Sequence, residues 1–151
     1  MVDIIEESQD KFGRKIYKIK KEDLIEFMEQ KKRDGYYLSA ITGVDMKSYI
    51  EVVYHIYNYD KNEYLEIKVD TEDSHVPSLT GLWKAADWDE REQYDLMGII
   101  FDGHENLRRI LLPDEWVGHP LRKDYDLKKV QYVSMDREGN EHVSFDPNEG
   151  W

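Results

Sequence analysis

Between Asp87 and Asp102 the sequence sets Asp87, Asp89, Glu90, Glu92, Asp95 and Asp102 around one cation, Arg91. Carboxylates at this density can exchange protons with a substrate or hold a hard divalent cation. Helical spacing offers a plainer use, because Asp87 and Asp95 stand four residues to either side of Arg91 and are expected to pair with it. Glu90 is the exception. It continues an apolar stripe of Leu79, Trp83 and Ala86, so its carboxylate is expected to be buried and to be met by an arginine from elsewhere. A second arrangement is the repeated dipeptide Gly103-His104 and Gly118-His119. With Glu92, the two imidazoles could form a small metal-dependent hydrolase. Their spacing matches no helical ligand pattern, however, and loop imidazoles bonded to neighbouring groups explain the dipeptides equally well. A third arrangement runs from Leu107 to Tyr125, where Arg108, Arg109, Arg122 and Lys123 are set against Asp114, Glu115 and Asp124, with Trp116 and Tyr125 beside them. Arginine forks among large aromatic rings are the mixture found at interface centres. Arg108, Arg109, Trp116, Arg122, Lys123 and Tyr125 are therefore the candidate partner interface, and pairing of these cations with the acidic helix is the intramolecular alternative.

These residues need elements to hold them. Arg14 to Lys20 alternates polar and apolar residues and reads as an edge strand. Glu22 to Arg33 reads as a one-faced helix through Leu24, Ile25 and Met28, closed by Gly35. Tyr36 to Val44, Tyr49 to Tyr57 and Tyr64 to Val69 read as three further strands, the last two joined by a turn at residues 58–62. Ser78 is placed to cap a helix carrying Leu79, Leu82, Trp83 and Ala86, and Asp87 to cap a second one ending at Gly98. Beyond Ile99, Gly103, Pro113, Gly118 and Pro120 punctuate the chain and no long period survives, save for a short hairpin at Asp136 to Asn140. The pattern predicts an α+β fold, a mixed or antiparallel sheet covered by helices, over residues 1–98, with an extended C-terminal arm over residues 99–151 laid on another surface.

Composition narrows the chemistry further. The 151 residues, of which 40% are hydrophobic and 13% aromatic, are enough for a core without disulfides or a structural metal. Lys and Arg number 21 against 33 Asp and Glu, a net charge of −12 that repels nucleic acid. Cysteine is absent, which removes thiol nucleophiles, cysteine-held zinc and cysteine-held iron-sulfur clusters, so any redox centre is expected on a partner. The acidic opening Met1-Val-Asp-Ile-Ile-Glu-Glu carries no secretory pattern, and no window approaches the roughly 20 apolar residues of a spanning helix. A cytoplasmic location is expected, with membrane contact only through another subunit. No serine has a Gly-x-Ser-x-Gly context and no Gly-rich phosphate loop appears.

The stretch from Trp83 to Ile99, then Phe101-Asp-Gly-His-Glu-Asn-Leu-Arg-Arg-Ile-Leu-Leu to 112, then Gly118-His-Pro-Leu-Arg-Lys-Asp-Tyr to 125, resembles the C-type or 30 kDa subunit of respiratory complex I, the NADH:quinone oxidoreductase. Tyr37 to Asp45, Val52 to Ile56 and Val76 to Leu79 resemble the family upstream, so the likeness spans about residues 20 to 127. Trp88, Glu90, Arg91, Glu92, Asp95, Gly98, His104 and Pro120 fall within its motif. Met97 and Asp126 depart from it, standing where Phe and Pro are common. The resemblance implies a cofactor-free structural subunit of the peripheral arm, with no catalytic residue of its own. It would dock on the large quinone-site subunit near the iron-sulfur subunits, on the cytoplasmic face of the membrane, while partners carry the clusters and the flavin. The surface under the arm of residues 99–151 would then be a partner subunit. The same family supplies subunits to energy-converting nickel-iron hydrogenases and F420H2 dehydrogenases, and that role is the alternative. A free-standing acidic binding module is the alternative of another class.

Overall fold

A computed structural model describes residues 1–148. Five strands form the main sheet: β1 (Ile4–Gln9), β2 (Lys15–Ile19), β3 (Tyr37–Asp45), β4 (Ile50–Asn58) and β5 (Glu63–Thr71), in the spatial order β1-β2-β5-β4-β3. β3, β4 and β5 are a meander with hairpin-length links, whereas β2 and β5 run parallel. A parallel pair needs a crossover, and the helix α1 (Leu24–Arg33) supplies part of it. α1 buries Leu24, Phe27 and Met28 against the sheet, carries Lys31, Lys32 and Arg33 in its last turn, and ends where Gly35 takes φ +89°. β5 is central, and on its neighbour β4 the inner-face residues Val52, Tyr54 and Ile56 are fully buried.

The second helix, α2 (Ala86–Met97), packs along β3 and is preceded and followed by the short parallel pair β6 (His75–Pro77) and β7 (Ile100–Asp102). Residues 103–131 form no helix or strand, and β8 (Tyr132–Met135) with β9 (Glu141–Ser144) makes the hairpin expected at Asp136 to Asn140.

Four expectations are corrected. Lys15–Ile19 is an interior strand, because Ile4–Gln9 pairs outside it and takes the edge. Residues 80–85 are turns and not a helix: Leu82 and Trp83 N–H groups both reach the Leu79 carbonyl, and the Ser78 hydroxyl accepts the Thr80 N–H but gives its proton to Glu90, with no helix starting there. Asp87 lies inside the first turn of α2 and caps nothing; the N-cap is Ala85. Ile99 and Phe101, beyond the boundary at residue 98, are core residues, so the irregular arm starts after Asp102. Its expected end, residues 149–151, lies outside the described residues.

Candidate functional site

The arm is tied to α2 by one carboxylate. Asp95 is fully buried, and its Oδ2 accepts the backbone N–H groups of Ile110, Leu111 and Leu112 at 3.1, 2.7 and 2.9 Å. Its Oδ1 takes Arg109 Nη1 at 2.8 Å. Arg109 in turn donates through Nη2 to the carbonyls of Trp116 and Gly118, both at 2.8 Å, so one guanidinium closes the loop between residues 109 and 118. Burial alone would raise the Asp95 pKa, but the arginine and the three N–H donors outweigh it and hold the carboxyl below its ordinary range. Arg91 faces the same segment, donating to the carbonyls of Arg108 and Arg109 at 3.2 and 2.9 Å. The expected pairing of Arg91 with Asp87 and Asp95 is therefore replaced by bonds to a loop that has no periodicity to announce it.

A second clasp joins the arm to the end of β3. Asp45 Oδ2 accepts the Lys123 N–H at 2.8 Å and lies 3.6 Å from Arg122 Nε, while Oδ1 accepts the Lys47 N–H. The Lys123 N–H bond is the strongest influence holding the Asp45 carboxyl below its ordinary range, ahead of burial, which opposes it, and of the Arg122 charge. Between the clasps, His119 Nδ1 meets the Asp95 carbonyl at 2.9 Å and its ring lies over Gly98. Gly98 sits at φ +71°, and a Cβ there would come within 2.7 Å of His119 Cδ2, so glycine is required twice over. The Leu121 N–H reaches the Leu96 carbonyl, and Pro120 shapes the turn in which the Arg122 N–H bonds the His119 carbonyl. Tyr125 packs on Gly118, Gln131 bonds Val117 in both directions, and an open groove of about 470 Å³ runs past His119, Arg122, Tyr125 and Phe145.

The other end of α2 holds a different carboxylate. Glu90 is fully buried as expected, but no arginine meets it; it accepts the Leu79 N–H at 2.6 Å and the Ser78 hydroxyl at 2.7 Å. Burial pushes its pKa up to about 7 against these two bonds. His104 is also nearly buried: Nε2 lies 2.8 Å from Asp87 Oδ1, and Nδ1 accepts the Asn106 N–H. The hydrolase arrangement is not assembled. His104 is held near Asp87 and His119 near Asp95, eight residues and about 12 Å apart along the helix, and Glu92 lies on the exposed side. Among the described residues no three His, Asp or Glu side chains are grouped to hold a metal ion.

The cations selected from sequence therefore divide. Arg109 and Arg122 are engaged within the chain, whereas Arg108 and Lys123 point their charges to solvent, and Trp116 and Tyr125 are half-buried beneath the loop. Apolar residues also turn outward along the arm: Leu111 is 62% exposed, Leu121 58% and Leu127 81%, and Val117 and Val130 are exposed with them. Neither they nor Asp45 and Gln93, which accepts the Gly43 N–H of β3 at 2.8 Å, stood out in the sequence. Gly43 carried the one available signal, since a Cβ there would strike Ile99 at 2.7 Å and β3 tolerates a close helix only without it.

Residues 17–131 match the family described as respiratory-chain NADH dehydrogenase, 30 Kd subunit. The chain belongs to that family. A C-type NADH-quinone oxidoreductase subunit of Salinispora arenicola is 48% identical over 98 residues, which are 61% of this chain and 40% of that protein. The C-type subunit of Moorella thermoacetica is 47% identical over 105 residues, 66% of this chain and 71% of it. The NADH-quinone oxidoreductase C/D subunit of Acinetobacter baumannii is 32% identical over 98% of this chain, which spans only 30% of that protein's length. Among solved structures, the trypsin-resistant fragment of Nqo5 superposes with a TM-score of 0.63 at 29% identity, covering 68% of this chain and 89% of the fragment. A chain of the membrane-bound sulfane sulfur reductase, an archaeal respiratory membrane complex, shares the fold at a TM-score of 0.71 and 22% identity, over 84% of this chain and 77% of the other. The α+β architecture of the 30 kDa subunit family is thus the architecture of this chain.

Proposed function

We propose that this 30 kDa-type subunit is a cofactor-free docking and assembly component of an NADH-quinone oxidoreductase-type complex, and that the arm from residue 107 to 131 is its contact with the large quinone-site subunit. The observation that carries this reading is the two-sidedness of the arm. Arg109 and Arg122 are turned inward onto Asp95 and Asp45, whereas Leu111, Val117, Leu121, Leu127 and Val130 face out beside the exposed Arg108 and Lys123. A loop that satisfies its own backbone bonds while exposing leucine is prepared to bury that surface on another protein. The double name of the Acinetobacter C/D protein supports the choice of partner, because the counterpart of this chain there shares one polypeptide with a much longer second module. Tethering holds two modules at high local concentration, so the untethered form needs an interface to do the same work. The large subunit, as the free form of that second module, is the proposed partner, with the iron-sulfur subunits carrying the clusters that a chain without cysteine lacks. Among the described residues no helix is long and apolar enough to cross a membrane, and we place the chain on the cytoplasmic face through its complex.

The test is recovery of the tagged chain from gently solubilised membranes of its own organism, with the accompanying subunits identified by mass spectrometry. The large subunit and iron-sulfur subunits are expected in fixed ratio to it. Recovery of the chain alone from membranes that contain an assembled complex would refute the proposal.

A further inference from the structure

Trp88 is 65% exposed on α2, at a position where a structural role would bury it. It shares a stripe with Arg91 and Asp95, three and seven residues on, but the arm crosses only those two and stops short of the indole. Arg91, fixed by the Arg108 and Arg109 carbonyls, lies 5.8 Å from the indole centroid and braces one face of it. The rest of the uncovered flank is acidic: Glu92 and Asp89 lie within about 100° of Trp88 around the helix. Glu92 is exposed, and half-buried Asp89 has its pKa raised by burial first and by Glu92 second, with no cation to offset either. A carboxylate partly stripped of water without a counter-charge is a cost that a partner's cation would remove.

We infer that this flank of α2 is a second docking face, on which Trp88 enters an apolar socket edged by lysine or arginine on the large subunit, with Asp89 and Glu92 as the acidic rim. The inference rests on the docking role proposed above. It adds a surface on the helical domain, continuous with the arm through Arg91, and fixes the chemistry of what covers it. An exposed tryptophan braced by an arginine has the composition of an interface hot spot, and flanking acids exclude anionic lipid as the occupant.

The tagged chain is co-expressed with the large subunit of the same organism, and the ratio of captured large subunit to tagged chain is read at about 50 mM and about 300 mM salt. Trp88→Ala is expected to lower capture roughly tenfold or more. The double substitution Asp89→Asn, Glu92→Gln is expected to lower capture at low salt and to flatten its salt dependence. Tyr59→Ala, at another exposed ring, is expected to change nothing. Equal capture by wild type and by the Trp88 and double variants would overturn the assignment to α2 while leaving the docking role standing; no capture by the wild-type chain would overturn both. Should Trp88→Ala not fold, Glu92→Arg decides: lost capture supports the acidic rim, and unchanged capture refutes it.

Discussion

Replacing Glu90 with glutamine should stabilise this subunit above neutral pH, because its buried carboxyl is held with a pKa of about 7 against an ordinary 4.5. The folded chain therefore binds this proton more tightly than the unfolded chain does. The stabilisation is fully present below about pH 4.5, and it is lost as pH rises through about 7. The difference of the two values corresponds to roughly 3 kcal/mol at 1.36 kcal/mol per pH unit, and Glu90 is wholly buried, so solvent screening does not reduce it. Glutamine copies the protonated acid: its oxygen can take the Leu79 N–H and its amide can donate to Ser78 Oγ, the two groups that now bond the carboxylate. At about 2 to 4 °C per kcal/mol for a chain of this size, Glu90→Gln should melt up to about 6 to 12 °C higher than wild type at pH 8 and within a degree or two of it near pH 4.5. Thermal unfolding followed by circular dichroism across this range gives the difference directly, and the other titrating groups cancel in the comparison. A difference that stays flat from pH 4.5 to 8, or a variant less stable at pH 8, would show that Glu90 is charged without penalty in this core.

Asp95→Asn leaves the Arg109 guanidinium and three N–H groups facing a neutral amide, and should cost about 3 kcal/mol or more, with new proteolytic cuts between residues 107 and 121. Gly98→Ala combines a strained φ of +71° with a contact on His119, and is expected to cost more than about 1 kcal/mol and to speed amide exchange at Leu121. Arg122→Ala should lower the melting temperature by only a few degrees, since Asp45 keeps the Lys123 and Lys47 N–H groups, and a larger loss would place Arg122 at the centre of the fold. The purified chain should bind no stoichiometric zinc or iron by elemental analysis, and a tightly held equivalent lost on replacing His104 or His119 would revive the hydrolase reading.

The meander β3 to β5 and the helix α1 were legible because their side chains repeat with the period of the element and their ends carry turn residues. β1 was not, since Ile-Ile-Glu-Glu-Ser-Gln buries almost nothing and carries no alternation to read. The stripe of Leu79, Trp83 and Ala86 did mark a buried face, but turns can present the same residues as a helix when Ser78 is drawn to Glu90. Side-chain pairing was the least legible part. Asp95 and Arg91 look across four residues to each other in sequence, yet both turn to the main chain of residues 108–112, and an irregular loop leaves no pattern by which its N–H groups could be foreseen. The Arg and Trp cluster of the arm was visible as composition. Which of its members face inward could be learned only from the clasps at Asp95 and Asp45.

A photo-activated cross-linker at Leu121, 58% exposed on the arm, examines the docking face most directly when the chain is incorporated into its assembled complex, with the same group at Tyr59, 73% exposed at the far turn, as reference. Docking through the arm predicts a cross-link from position 121 to the large subunit and none to it from position 59. A cross-link to the large subunit from position 59 with none from position 121 would place the interface on the opposite end of the sheet and contradict the assignment.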